Sequence, residues 1–376
     1  MHRPTSRTRP FNELPLLPPA RELETKRTLK RAIAANTALA ELRTAGDLIP
    51  NQAILIRALI LQEAKLSSEI ENIVTTNDEL YRALSDDAEQ SDPATKEVLR
   101  YSEALWYGFE QLQQGALLSP RLFGEIAQII KRYEIPVRSM PGTRVVNRAT
   151  NEPIYAPPEG EALIRRLLDN LSEYLYAEDD VDPLIKMAAA HYQFEAIHPF
   201  PDGNGRTGRV INILYLVSQG LLGVPTLYLS RYIMRNKRAY YEGLRRVTEE
   251  EAWEDWIAYV LEGVQQTAID TKGTILGIRE AMLAAVERAK TDMRRGYRKE
   301  LIELIFQQPF TRIAFLERDD IAKRQAASAH LKELERIGLL TSFKHGRDRL
   351  YLNEPLLRLL SGSAWRPAPA SLTERH

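Results

Sequence analysis

Residues 198–209, HPFPDGNGRTGR, bring a histidine, a carboxylate, three glycines and two arginines into one short segment. The apolar spacing on both sides is helical, so the sequence predicts that one helix ends here and another begins. A helix that begins at Gly203-Asn204-Gly205 presents unpaired N–H groups and the positive end of its dipole. Such an end binds anions, and glycine lets a phosphate approach the backbone closely. The segment is therefore a candidate phosphate site.

The charged side chains of the same segment extend this interpretation. Arg206 and Arg209 are three residues apart, so on a helix they can face one anion. Asp202 is positioned to hold a Mg²⁺ that bridges phosphate oxygens. His198 has an ordinary pKa near neutrality and can take a proton from a hydroxyl nucleophile. These residue types predict a nucleotidyl or phosphoryl transferase, although the pattern is not that of a P-loop.

The composition excludes several other classes of chemistry. The 376 residues contain 51 Lys and Arg against 51 Asp and Glu, so no global charge favours nucleic acid or membrane. Cysteine is absent, which rules out disulfides, thiolate nucleophiles and cysteine-ligated zinc. No apolar run approaches the roughly 20 residues of a membrane span, and the basic N-terminus lacks a signal-peptide core. We expect a cytoplasmic protein of two or three domains.

The elements that must position the segment are mostly helical. Apolar residues such as Leu29, Ala32 and Leu39 recur at helical spacing from about residue 22 to 114. Residues 140–158 instead pair Val145-Val146 with Ile154-Tyr155 around a polar turn, which predicts a β-hairpin. Helices resume at 159–176 and 182–197, and continue after the loop to about residue 289.

The segment resembles the active-site motif of the Fic (Fic/Doc) family, HxFx(D/E)GNGRxxR, and matches it at every specified position. Most members transfer AMP from ATP to a Ser, Thr or Tyr hydroxyl of a target protein. The resemblance implies His198 as general base and Asp202 as ligand of Mg²⁺. The residues it implies for binding ATP phosphates are Gly203, Asn204, Gly205, Arg206, Thr207, Gly208 and Arg209. Arg206 favours AMP transfer, because the phosphorylating members carry lysine there; phosphocholine transfer stays open.

Two further stretches are similar to parts of the same family. The hairpin at 140–158 resembles the flap that pairs with the target, which implies that Glu152, Pro153, Ile154 and Tyr155 lie beside the nucleotide. Residues 235–250 resemble the stretch that lines the adenine pocket, with Tyr240, Tyr241 and Thr248 as contacts. Packing in the protein core is the alternative explanation for the two tyrosines.

The sequence SSEIEN at 67–72 matches the family's inhibitory pattern, (S/T)xxxE(G/N), through Ser67, Glu71 and Asn72. Ser67 and Glu71 are four residues apart and share a helix face. The resemblance implies that Glu71 reaches Arg209, occupies the cation meant for the γ-phosphate and repels that phosphate. The same glutamate could instead orient a water that removes AMP from a modified target.

The C-terminal stretch predicts three helices and a hairpin around Gly346, the pattern of a winged helix-turn-helix. Between residues 294 and 349 basic residues outnumber acidic ones. Arg324, Gln325, Ser328 and His330 could face a DNA groove, and Lys344, Arg347 and Arg349 could contact phosphates. Binding of protein alone is the alternative, since many winged helices bind no DNA.

The sequence thus predicts a mainly α fold with an all-helical Fic core, a small β-hairpin flap and a C-terminal winged helix-turn-helix domain. We expect a helical region at 1–116, a core at 117–290, a winged helix at 294–362 and a tail at 363–376. The expected activity is self-inhibited transfer of AMP to a protein hydroxyl, on a target or on the chain itself. A de-AMPylase using Glu71 and a nucleotide-sensing DNA-binding regulator are the alternatives. Expected partners are Mg²⁺ with ATP, a target protein, DNA or protein at the winged helix, and a second copy in a homodimer.

Overall fold

The computed structural model of the protein describes residues 9–49, 51–85, 92–146, 152–294, 296–345 and 348–361. Within these residues the fold is mainly helical, with short antiparallel strands, which confirms the predicted fold class. The tail predicted at 363–376, the tip of the predicted hairpin and the candidate phosphate contact Arg347 lie outside the described residues.

The first helices are α1 Lys26–Asp47, α2 Gln52–Ile70, α3 Asn77–Ser85, α4 Pro93–Gln113, α5 Pro120–Lys131, α6 Glu161–Tyr176, α7 Pro183–Ile197 and α8 Asn204–Ser218. They are followed by α9 Leu229–Arg235, α10 Lys237–Glu250, α11 Trp253–Asp292, α12 Lys299–Gln307, α13 Ile313–Arg318, α14 Arg324–Arg336 and α15 Glu354–Ser361. The strands are β1 Val145–Val146, β2 Pro153–Tyr155, β3 Phe310–Thr311, β4 Thr341–His345 and β5 Asp348–Leu352. Among the described residues, none of the helices combines the length and the apolar character needed to cross a membrane.

Three helices around the loop begin with the same local sequence, a capping side chain followed by proline. Asp92, Ser119 and Asp182 accept hydrogen bonds from backbone N–H groups in the first turns of α4, α5 and α7. Proline is tolerated at the first helical position because the N–H that it lacks would have no helical partner there. These six residues fix where the helices around the loop start.

The chain divides into two compact units. The first comprises the described residues of 1–47, 59–75 and 91–272, and its core is built on α7 and α8. Nearly every residue of these two helices is buried, as expected for helices that are surrounded by others. The loop at 198–203 joins them, so its ends are held by the core.

The buried face of α1 differs slightly from the predicted one. Thr28, Ala32, Ala35 and Leu39 form the buried stripe, whereas 39% of Leu29 is exposed. The prediction for Leu29 was wrong because residue 29 lies about 100° round the helix from Thr28, at the edge of that stripe.

The predicted hairpin is present as β1 and β2, which pair antiparallel with Val145 opposite Tyr155 and Val146 opposite Pro153. Two contacts attach it to the first unit. The Tyr155 hydroxyl donates to the Ala196 carbonyl in the last turn of α7 at 2.9 Å, and the Phe11 N–H donates to the Ala156 carbonyl at 2.9 Å. The hairpin therefore sits at the end of the helix that leads into the loop.

The second unit comprises the described residues of 48–58, 76–90 and 273–376. Helices α12, α13 and α14 are followed by the β4–β5 hairpin, in the order that the sequence predicts. Strand β5 lies between β3 and β4 in an antiparallel sheet. The Asn353 side chain donates to the Ile305 carbonyl at 2.9 Å and accepts from the Leu356 N–H at 3.1 Å, so it fastens the end of this sheet to α12. The predicted domain limits and winged-helix interpretation stay predictions.

Two helical glycines of the first unit predict opposite effects of the same substitution. A Cβ on Gly108 in α4 would collide with Leu214 of α8, whereas a Cβ on Gly124 in α5 meets nothing within 4 Å. Alanine is the better helix former by about 1 kcal/mol, but overpacking costs roughly 1–3 kcal/mol. We expect Gly124→Ala to raise the free energy of unfolding by up to about 1 kcal/mol and Gly108→Ala to lower it by about 1 kcal/mol. Urea denaturation followed by circular dichroism measures both; equal effects would contradict the α4–α8 close approach.

Candidate active site

The loop between α7 and α8 is shaped by its own side chains. His198 ends α7 with left-handed backbone angles, φ 48° and ψ 58°. The Asn204 amide accepts from the Phe200 N–H at 2.8 Å and donates to the Phe200 carbonyl at 2.7 Å, while the Phe200 ring is buried. Gly203, at φ 82°, begins α8 and offers no capping side chain. The N–H groups of the first turn of α8 are therefore available to an anion.

His198 is suited to accept a proton near neutral pH. Burial and, after it, the nearby guanidinium of Arg138 lower its pKa from the ordinary 6.5 to about 4, against the opposing charges of Glu71 and Asp202. The imidazole is consequently neutral at pH 7, with a nitrogen lone pair free to act as a base.

Arg209 is held by Ser67 of α2 and by Glu71, the residue after that helix. Its guanidinium donates from Nε to the Ser67 hydroxyl at 2.8 Å, and from Nη2 to the Ser67 carbonyl at 2.9 Å and to Glu71 Oε1 at 3.0 Å. Burial opposes the charge of Arg209, but Glu71 together with Tyr240, Glu195 and Tyr101 outweighs it, so the pKa of Arg209 is raised. The predicted reach of Glu71 to Arg209 is thus present as a direct ion pair.

The end of α2 explains why asparagine follows Glu71. Asn72 adopts a left-handed conformation with φ 62°. Its N–H donates to the Glu69 carbonyl at 3.0 Å, and the Ile73 N–H donates to the Ser68 carbonyl at 3.0 Å. This is a Schellman ending, in which glycine or asparagine is favoured because other side chains strain at positive φ. Asn72 therefore turns the chain directly after Glu71.

The glycines of α8 allow close approaches. A Cβ on Gly205 would collide with the carboxylate of Glu71, so that carboxylate lies against the first turn of α8, where an anion is expected. A Cβ on Gly208 would lie 3.0 Å from both Glu195 Oε1 and a ring carbon of Phe194. Gly208 thus lets α8 pack on α7, and Thr207 beside it is completely buried.

Asp202 and Arg206 are linked by a chain of ion pairs through Lys131 and Glu97. The Lys131 ammonium lies 2.5 Å from Asp202 Oδ2 and 3.1 Å from Glu97 Oε1, and an Arg206 guanidinium nitrogen lies 2.9 Å from the same Glu97 oxygen. The Arg206–Glu97 contact is a close ion pair. Burial opposes ionisation of Asp202, but Lys131, the Gly203 N–H and Arg206 together outweigh it and lower the pKa of Asp202.

The candidate adenine contacts lie in different environments. Tyr240 is buried, its hydroxyl pairs with His191 Nε2 at 3.0 Å, and its ring packs against Trp256. Tyr241 is 44% exposed and makes an edge contact with Tyr240. Thr248 bonds to the Tyr192 hydroxyl at 2.9 Å. Tyr240 is therefore part of the core, and Tyr241 is the tyrosine with an exposed ring.

The hairpin residues alternate between exposed and half-buried. Glu152 and Ile154 are exposed, whereas Pro153 and Tyr155 are half-buried. Tyr155 turns towards α7, and its hydroxyl bonds there. Glu152 and Ile154 consequently form the outer face of β2.

Sequence reasoning missed four charged residues around the loop: Glu97, Lys131, Arg138 and Glu195. Each is far from the motif in sequence or hidden on a helix face, and no pattern in a single sequence marks a buried ionic partner. Glu195, one turn before His198, is the nearest; burial raises its pKa to about 7, against the influence of Arg209.

Three family models match the chain. The model described as Fic/DOC family N-terminal matches residues 29–110, the Fic/DOC family model matches 118–216, and the model described as protein adenylyltransferase SoFic-like, C-terminal domain matches 282–356. The second match contains the whole loop, α7 and all but the last two residues of α8. The first contains α2 with Ser67 and Glu71.

Two curated relatives are named as protein adenylyltransferases. A probable protein adenylyltransferase of Aquifex aeolicus is 28% identical over 201 residues, 51% of this chain and 56% of the relative. The protein adenylyltransferase fic-1 of Caenorhabditis elegans is 35% identical over 68 residues, 18% of this chain and 13% of the relative. The chain thus spans less than two thirds of the length of either relative.

Solved structures share the fold at low identity. A Fic family protein from Desulfovibrio desulfuricans is 16% identical with a TM-score of 0.54, covering 88% of this chain and 96% of the other. A Fic domain containing signaling protein from Bacteroides thetaiotaomicron is 18% identical with a TM-score of 0.52, covering 65% of this chain and 97% of the other. At these identities the likeness concerns the fold alone.

The environment of His198 predicts an unusual titration. Because burial and Arg138 hold its pKa at about 4, the imidazole stays neutral as the pH falls through the ordinary value of 6.5 and gains its proton only near pH 4. NMR of the histidine ring protons measures this, with His198→Ala identifying the resonance. A midpoint near 6.5 would contradict the geometry of the loop.

Proposed function

The chain belongs to the Fic/DOC family, and we propose that it is a self-inhibited protein adenylyltransferase that transfers AMP from ATP to a Ser, Thr or Tyr hydroxyl. The observation that carries this proposal is the loop at 198–209, in which a neutral imidazole stands beside a helix N-terminus and two arginines. The names of the curated relatives support the same activity.

In the proposed reaction His198 accepts the proton of the target hydroxyl. The hydroxyl oxygen attacks the α-phosphorus of ATP, and the bond from that phosphorus to the bridging oxygen breaks. AMP is then joined to the target, and pyrophosphate leaves with the electron pair of the broken bond. An in-line approach is required, so the angle at which the phosphates are held decides whether reaction occurs.

The proposed phosphate site uses the N–H groups at the start of α8 together with Arg206 and Arg209. Negative charge on the departing pyrophosphate is stabilised by these fixed donors, which need no rearrangement during reaction. Asn204 contributes indirectly, because its two hydrogen bonds to the Phe200 backbone hold the conformation of the loop. Thr207 and Gly208 contribute through helix packing.

The residues present fit a Mg²⁺ held jointly with ATP. Magnesium in nucleotide sites is held by one or two carboxylates and by phosphate oxygens, and Asp202 supplies an ionised, half-exposed carboxylate at the loop. Among the described residues no group of three or more acidic or histidine side chains could hold a metal alone. When bound, the ion would neutralise phosphate charge. Lys131 would then give up its contact with Asp202.

Self-inhibition is the second part of the proposal. The Glu71 carboxylate pairs with Arg209 and lies against Gly205, where it competes with a phosphate for the same cation and N–H groups. ATP that binds beside it would have its phosphates turned out of line. The alternative is that Glu71 orients a water and removes AMP from a modified target.

We expect Glu71→Gly to raise transfer of label from ATP labelled at the α-phosphate, onto a target or the chain itself, by about tenfold or more. A factor of ten corresponds to about 1.4 kcal/mol. Adding His198→Ala should lower that transfer by about 10²–10⁴-fold, the range for general-base catalysis. Radiolabel on protein and intact mass, with Mg²⁺ present, measure both.

The matched control is Glu71→Gln, which keeps the shape and loses the charge, and should release activity only in part. Transfer that is unchanged in Glu71→Gly would contradict the inhibitory role. Loss of AMP from a pre-labelled chain that depends on Glu71 would favour the de-AMPylase. ATP binding without label in any variant would overturn the transferase.

Removal of Glu71 also leaves Arg209 short of a counter-charge. Breaking a buried ion pair by removing one partner destabilises by roughly 3–5 kcal/mol in strong cases, and the Ser67 contacts moderate that loss here. We expect a lower Tm for Glu71→Gly, and a larger rise of Tm with Mg²⁺ and ATP than in the unchanged protein, because the phosphates replace the lost anion. Glu69→Gly is the control, since it introduces glycine two residues earlier, in the last turn of α2, but leaves the ion pair intact. A smaller rise in Glu71→Gly would contradict competition between Glu71 and phosphate.

A DNA-binding regulator that senses nucleotide is the second candidate. It is favoured by exposed Arg324 and Gln325 at the start of α14 and by exposed Lys344 on β4, whereas His330 packs against Gly296. Salt-dependent DNA retention that is lost in Arg324→Ala/Lys344→Ala would support it.

A further inference from the structure

The last backbone carbonyls of α7 lack hydrogen-bond donors close by in the sequence. The last carbonyls of a helix have no helical donors, and here Pro199 and Pro201 remove two of the N–H groups that would follow. The intervening N–H, that of Phe200, donates to Asn204. The carbonyls from Ala196 to Pro199 must therefore find donors elsewhere.

One residue supplies most of those donors. Arg138 donates from Nε to the His198 carbonyl at 2.6 Å, from Nη2 to the Ile197 carbonyl at 3.1 Å, and from its backbone N–H to the Pro199 carbonyl at 2.9 Å. The remaining carbonyl, of Ala196, accepts from Tyr155. Only 5% of Arg138 is exposed, so these bonds are shielded from water.

The same guanidinium also holds the hairpin. Arg138 Nη2 donates to the Pro158 carbonyl at 3.0 Å, directly after the chain leaves β2. One planar group thus joins the carbonyl of His198 to the exit of the hairpin. A cation at this point is also favoured by the negative end of the α7 dipole.

We propose that Arg138 is a positioning residue for the transfer reaction, because its guanidinium fixes both the left-handed backbone of His198 and the spacing between His198 and the hairpin. This inference rests on the proposed function. If the edge of β2 docks the target, that spacing sets the distance from the target hydroxyl to the imidazole. A misplacement of about 1 Å can lower a rate by about 10²-fold.

The effect of Arg138 on the pKa of His198 distinguishes a positioning role from a contribution to packing alone. Its charge contributes, after burial, to the low pKa of His198, while Glu71 and Asp202 act in the opposite direction. Loss of the guanidinium should therefore raise the pKa of His198, whereas loss of packing alone elsewhere should not.

The test compares Arg138→Met, Arg138→Lys and Arg138→Gln, each combined with Glu71→Gly. Arg121→Met is the matched control, since Arg121 is an exposed arginine on α5. The readouts are kcat and KM for ATP, the Kd of ATP, Tm, and the pKa of His198 by NMR.

We expect Arg138→Met to lower kcat by about 100-fold, to change the Kd of ATP by less than about twofold, and to raise the pKa of His198 towards 6.5. Lysine keeps the charge and one donor, so Arg138→Lys should keep the pKa low and recover kcat to within about tenfold. Arg138→Gln should recover less than lysine.

A folded Arg138→Met with the kcat and the His198 pKa of Arg121→Met would overturn the proposal. A fall in kcat that parallels the fall in Tm, with an unchanged pKa of His198 and no recovery of kcat in Arg138→Lys, would also overturn it. If Arg138→Met does not fold, equal behaviour of the lysine and glutamine variants overturns it. If no variant transfers AMP, the pKa comparison still tests Arg138, and the failure then belongs to the proposed transferase activity.

Discussion

A buried arginine needs an opposite charge, and the site of this protein is organised by that requirement at Arg209. Only 1% of its side chain is exposed, and an unpaired charge at such depth is strongly unfavourable. The chain meets the requirement with Glu71 and the oxygens of Ser67. The element that stabilises the arginine is thus also the element that stands where a phosphate is expected. Under the proposed function, one contact would both stabilise the protein without nucleotide and restrain its activity.

A second constraint concerns the helix that delivers His198. The prolines on either side of Phe200 remove N–H groups near the end of α7. The last carbonyls of the helix instead accept hydrogen bonds from Arg138, 60 residues earlier in the chain, and from Tyr155 of the hairpin. The arrangement links the backbone at His198 directly to the hairpin.

Much of this could be predicted from the sequence, for reasons that are local. The Asp-Pro and Ser-Pro pairs mark helix starts, and the motif at 198–209 marks the loop between two helices. The Glu71–Arg209 contact was predictable only through family resemblance, because no local rule joins residues 138 positions apart. Arg138, Glu97 and Lys131 were missed because their importance lies in what they contact, and a single sequence does not reveal which charged residues are buried. Tyr240 shows the same limit from the other side: its hydroxyl and ring contact His191 and Trp256 in the core, and its role as an adenine contact stays a prediction.

Each charged group of the loop is neutralised within the chain: Arg209 by Glu71, Arg206 by Glu97, and Asp202 by Lys131. These pairs hold the side chains in position before any ligand arrives, which favours preorganised catalysis. They also make ligand binding an exchange, in which phosphates and a cation must replace or share existing partners. Glu97 and Lys131 lie on α4 and α5, which pack closely on α8 in the core of the first unit. Glu71 lies at the very end of its helix, where Asn72 already turns the chain away. Glu71 differs from Glu97 and Lys131 in that its carboxylate lies against Gly205 in the first turn of α8, so an anion that binds there must displace it.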